Sequence, residues 1–134
     1  MIKVIIGTKG TGKTKRLIEM VNAAAKSDNG HVVCLEYGDG LKYDISSQVR
    51  LINTKDYNIS GYDAFGGFIK GLFASNYDIS TLFVDGALKI TGDDLEKFAE
   101  TLADVDKIAG DATVVVLVSA AVENAPAAIK DYII

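Results

Sequence analysis

The strongest constraint on what this chain can fold into is a run near its start, Gly7-Thr8-Lys9-Gly10-Thr11-Gly12-Lys13-Thr14. Its spacing is glycine, four residues, then Gly-Lys-Thr, the pattern of a loop that cradles phosphate. The run follows the β-branched stretch Ile2–Ile6, which reads as a strand, and it precedes an amphipathic stretch. That order places the loop's amides at a helix N-terminus, where N–H groups without intrahelical partners present positive partial charge to an anion. Such a unit needs a sheet behind it and helices over it.

The rest of the chain supplies them. Lys13–Lys26 reads as a helix with Leu17, Met20, Val21 and Ala24 on one face and Asn29-Gly30 as its stop. His31–Tyr37 is a second strand, Gly38–Ser47 a polar loop and Val49–Asn53 a short third strand. Tyr62–Ser75 is a helix with Phe65, Ile69, Leu72 and Phe73 on one side. Its Gly67 and Gly71 lie four apart, a spacing that would admit a neighbouring backbone, although each costs about 1 kcal/mol against alanine. Thr81–Asp85 is a strand, Asp93–Ala109 a helix with acidic groups suited to its N-terminal dipole, and Ala127–Tyr132 a terminal helical turn. Thr113–Ser119 is so continuously apolar that it should be a strand buried on both faces.

Strands alternating with helices predict parallel βαβ units, hence an α/β three-layer sandwich with a mainly parallel central sheet of about five strands. At 134 residues the chain has one domain, residues 1–134. Ligands of such sheets bind beyond the carboxyl ends of the strands. Gly7 onward, Glu36 to Asp39, Asn53, Asp85-Gly86 and Ser119 should therefore lie along one edge.

Composition closes off other classes. The longest apolar stretches, such as Val114–Val118, are far too short to span a bilayer, and the N-terminal run lacks the form of a signal peptide. A lone cysteine, Cys34, has no partner for a disulfide or a metal cluster, and its apolar neighbours make it a core residue. The cytoplasm is the expected compartment. Net charge is −4, and the only basic cluster is Lys9, Lys13, Lys15 and Arg16 at the loop, so nucleic acid is not an expected partner. His31, the single histidine, pairs with no serine or cysteine by a recognisable spacing and reads as a surface residue.

Each part of the loop has a physical task. Gly7, Gly10 and Gly12 permit backbone angles and close approaches that side chains prevent. Together with Thr8, Lys9, Thr11 and Lys15 they form the nucleotide-binding set. Lys13 is a mobile point charge for the β- and γ-phosphates, and the Thr14 hydroxyl is a magnesium ligand. The apolar strand Thr81–Val84 ends in Asp85, whose carboxylate is placed to hold the same metal.

These two segments make the whole chain resemble the P-loop NTPase superfamily, whose members bind ATP or GTP with magnesium. Two features are similar to the RecA-like and motor ATPases. The gap between the motifs leaves room for a β-α pair, and Thr113–Ser119 looks like the strand those proteins insert between the two motif strands. Its terminal Ser119 fits the position of a γ-phosphate sensor. The layout also resembles small bacterial P-loop proteins sometimes labelled as relatives of twitching-motility ATPases. Many such ATPases carry a glutamate directly after the aspartate, but Gly86 stands there and cannot serve as a base. RecA-like proteins put it at the end of the second strand, which the resemblance assigns here to Glu36; a solvated strand-end carboxylate or a partner for Lys42 is its structural alternative.

The expected function is thus Mg-ATP binding, with ATP favoured over GTP because no Asn-Lys-x-Asp segment occurs. Only Arg16 and Arg50 are present, so no arginine-rich lid exists and hydrolysis should be slow alone, needing a homo-oligomer or a protein partner. Two alternatives stand beside the weak ATPase: a nucleotide-dependent switch without turnover, and a small-molecule phosphotransferase.

Overall fold

A computed structural model describes residues 1–134. Five strands form one sheet: β1 (Ile2–Gly7), β2 (His31–Glu36), β3 (Arg50–Asn53), β4 (Ile79–Asp85) and β5 (Thr113–Ser119). Their spatial order is β1-β5-β4-β2-β3, and every pairing is parallel. The last strand therefore sits between β1 and β4, as the apolar run Val114–Val118 required. Both of its faces are covered, and Val114, Val116 and Val118 have no exposure.

Period-2 alternation divides the core. Val33, Leu35, Leu82, Val84, Val114, Val116 and Val118 point to one face, where they meet α2 (Tyr62–Ser75), α3 (Ala87–Thr91), α4 (Leu95–Ala109) and α5 (Ala127–Lys130). Ile5, Val32, Cys34, Phe83, Val115 and Leu117 point to the other face, against Leu17 and Val21 of α1 (Lys13–Ser27). That second layer holds one helix, and the segment between β2 and β3 completes it. Leu41, Ile45 and Val49 pack into it. Asn22 of α1 ties the segment down, donating to the Asp44 carbonyl at 2.8 Å and accepting from the Ser46 amide at 2.8 Å. Gly38–Ser47 is thus an ordered cover in place of a helix.

Several boundaries differ from the sequence reading. The helix expected from Asp93 starts at Leu95, because the Asp94 carboxylate accepts from the Glu96 and Lys97 amides and so occupies the N-cap. β4 begins two residues early, at Ile79, where polar Ser80 disguised the strand. The helix α3 went unread. Gly67 and Gly71 face open space, and it is Gly66 that lies against the neighbouring helix, its position 3.6 Å from Thr101. The terminal turn stops at Lys130, after which the Tyr132 carbonyl accepts from Val4 and the Ile134 amide donates back to Val4. No helix is long and apolar enough to cross a membrane.

Candidate functional site at the carboxyl edge

The sheet register brings the expected strand ends together. Gly7 pairs with Ser119, and Glu36 pairs with both Asp85 and Asn53. Alternation then fixes their side. Gly7, Glu36, Asp85 and Ser119 each stand two residues beyond a residue of the α1-facing core: Ile5, Cys34, Phe83 and Leu117. All four therefore point to the layer in which α1 begins, and the glycine loop lies where β1 hands over to that helix.

The loop is held open by its glycines. Gly10 and Gly12 both adopt φ of 85°, a left-handed conformation that side-chain-bearing residues avoid. Gly12 is also the N-cap of α1, with no side chain capping the helix and no acidic residue in the first turn. The first amides of α1 are thus left for an external acceptor. The Thr8 carbonyl accepts from the Thr11 hydroxyl at 2.8 Å and from Lys13 Nζ at 2.9 Å. Lys13 is in this way folded back across the loop, held by one neutral acceptor that an anion can replace.

A cavity of about 440 Å³ opens over this edge. Gly10, Gly12, Lys13, Thr14 and Lys15 line one side, and Asp85, Gly86, Lys89 and Ser119 the other, with Lys9 and Tyr37 at the rim. Four lysines and one carboxylate share it. Neither of the protein's two ion pairs, the Met1 amino group with Asp106 and Lys70 with Asp104, involves any of the four. The edge therefore carries an excess of positive charge in a chain whose net charge is −4. Burial pushes the Asp85 carboxyl above its usual range, while the Gly86 amide, Lys89 and Lys13 pull it back.

Glu36 stands apart from that cavity. It is 5% exposed, and both of its carboxylate oxygens accept the Leu41 amide, at 3.1 and 3.2 Å. Its partner is the backbone of the covering segment rather than Lys42, whose ammonium lies over the Tyr43 ring. Burial raises the Glu36 pKa, the Leu41 and Gly40 amides lower it, and the charges of Asp85 and Asp39 raise it further. Asn53 is likewise engaged, accepting from the Gly38 and Lys55 amides at 3.0 Å each. Arg16 points away and donates to the Ile134 carbonyl at 3.3 Å. Cys34 is buried with its thiol pushed up to about 12, first by burial and then by Asp85 and Glu36, so it is no nucleophile.

Sequence reasoning missed Lys89. Its signal was present in Asp85-Gly86-Ala87-Leu88-Lys89, where a glycine after a strand-end aspartate caps a short helix and brings the lysine back over the edge. Gly86 has φ of 72°, and a Cβ there would come within 2.9 Å of the Tyr37 Cβ. No protein-family model and no curated protein matches the chain.

Proposed function

We propose that this chain is a P-loop NTPase-type protein that binds ATP with Mg²⁺ and hydrolyses it weakly, acting in a homo-oligomer or with a protein partner. The observation that carries the reading is the convergence of an open, uncapped glycine loop, Lys13, Thr14 and Asp85 on one cavity. Amides at the α1 N-terminus receive the phosphates, and Lys13 moves from the Thr8 carbonyl to a phosphate oxygen. The donor set suits magnesium. Thr14 and Asp85 offer a hydroxyl and a carboxylate, hard oxygen ligands, and no group of three acidic, histidine or cysteine side chains forms a metal cage. Magnesium is commonly held in this way, by one or two protein oxygens together with phosphates and water. Bound there, it neutralises charge on the transferred phosphoryl group.

In this reading Ser119 senses the γ-phosphate from the edge of β5. Glu36, in register with Asp85, is the candidate base, and reaching water requires that it release the Leu41 amide. The interlocked position of Glu36 favours slow turnover, and it also gives the non-hydrolysing switch a specific basis. Titration with ATP, GTP and their diphosphates, with and without Mg²⁺, followed by thermal shift, tests the assignment. ATP with Mg²⁺ should raise the melting temperature most. A melting temperature unmoved by every nucleotide overturns it.

A further inference from the structure

The geometry points to Lys89 as a phosphate-contacting residue that reads the terminal phosphate of the nucleotide, filling from within the chain the place of the missing arginine. The inference rests on the nucleotide-site reading above and adds a residue to it. Lys89 lines the same cavity as Lys13, Thr14, Asp85 and Ser119, and it follows β4, which β5 separates from β1 and the glycine loop. It projects from α3, which begins immediately after Asp85, with left-handed Gly86 as its N-cap. The Lys89 stem folds back over that glycine, its Cδ lying 3.9 Å from where a Gly86 Cβ would be.

Two consequences follow from this packing. A carboxylate side chain at position 86 is excluded twice, by the backbone angle and by Tyr37. The stem of a cation runs beside that position instead. Lys89 is exposed, its ammonium makes no hydrogen bond and belongs to neither ion pair of the protein, and its charge favours the ionised form of Asp85 in the same cavity. That ammonium is thus available to an anion bound beside Asp85. In this assignment the loop amides and Lys13 hold the first two phosphates, and Lys89 is the cation left for the third. Charge spread over the oxygens of a terminal phosphoryl group is the kind that a second cation stabilises.

The test compares Lys89→Gln and Lys89→Arg with the unaltered protein, measuring calorimetric affinity for ATP and for ADP in excess Mg²⁺. Lys89→Gln should weaken ATP binding by about tenfold and leave ADP within about twofold, while Lys89→Arg keeps ATP within about threefold. Equal losses for ATP and ADP, or no loss for either, overturn the assignment of Lys89 alone. Failure of the unaltered protein to bind ATP or ADP overturns the nucleotide site itself, and this inference with it. Because Lys89 is exposed and its ammonium makes no hydrogen bond, the unliganded melting temperature of both variants should stay close to that of the unaltered protein.

Discussion

The two ends of the sheet carry cavities of opposite character. At the amino end a cavity of about 580 Å³ is floored by Val32, Val33, Ile52, Leu72 and Ile79. At the carboxyl end the cavity is smaller, about 440 Å³, and its only aliphatic wall is Leu117. Size and apolarity favour the first, yet its carboxylate and its histidine are already hydrogen-bonded to neighbours. Asp28 accepts from the Ser80 and Thr81 hydroxyls at 2.7 and 2.8 Å, and His31 shares a 3.0 Å hydrogen bond with Asn76. At the carboxyl end the helix amides have no side-chain cap, and four lysines share the cavity with one carboxylate and enter no ion pair. Free hydrogen-bonding and charge capacity, more than volume, distinguishes a place built for a ligand from a dent between packed elements.

The comparison can be broken most forcefully at Glu36, which belongs by position to the carboxyl edge and by bonding to its covering segment. Glu36→Gln should lower ATP turnover about a thousandfold, within the range for a general base, with ATP affinity nearly unchanged. Unchanged turnover in a steady-state assay would assign Glu36 to bracing Leu41 alone. Lys13→Ala should weaken ATP binding about a hundredfold, roughly 2.7 kcal/mol, and a titration showing full affinity would remove the loop from the site. Asp85→Asn should reduce the Mg²⁺-dependent part of ATP affinity by about tenfold.

The same Asp85 substitution has a second readout, with a defined sign. The folded-state pKa of Asp85 is raised by burial, so folding holds its proton more tightly than the unfolded chain does. Stability therefore falls as pH rises from the unfolded value through the folded one, and at neutral pH the ionised group is a burden. The unliganded Asp85→Asn protein should melt slightly higher than the unaltered protein at pH 7. A lower melting temperature would mean that the carboxylate makes stabilising contacts in the absence of ligand.

The amino end should respond in the opposite sense. Asp28 has its pKa lowered below 3.8, chiefly by the Ser80 and Thr81 hydroxyls. Its contribution is present above that value and is lost as pH falls through the folded one. Asp28→Ala should cost about 1 kcal/mol at pH 7, an effect that fades in acid, with the ATP-induced thermal shift unchanged. Denaturant melts at pH 7 and pH 3 would show it, and a reduced ATP shift would mean that the two ends communicate.

Much of the edge was legible because strand geometry is stiff. Once Ile5, Cys34, Phe83 and Leu117 are assigned to one core face, the residues two further on must share that side. The loop was legible because glycine spacing encodes backbone angles directly. What escaped the sequence depends on tertiary partners. The cover over α1 is made by Asn22 reaching Asp44 and Ser46, residues 22 and 24 positions away, and polar Gly38–Ser47 has no periodicity that announces it. Glu36 ends a strand in either of its roles, so only the Leu41 amide reveals its bonding. Lys89 was hidden because Gly86 reads as the loss of a carboxylate, and its left-handed angle shows only when the chain is folded.

The placement of β1 has a consequence for how the protein is made. The motif that defines the candidate site is contiguous and near the start of the chain, but β1 has β5 as its only neighbour within the sheet. The Met1 amino group bonds to the Ala112 carbonyl, 111 positions away, and Gly7 finds its register only against Ser119. Closing so long a loop is entropically costly and slow, and before it closes β1 has only its packing against α1. β2, β4 and their helices can assemble around closer contacts while the first residues wait. The glycine loop should thus be among the last parts of the molecule to reach its working shape.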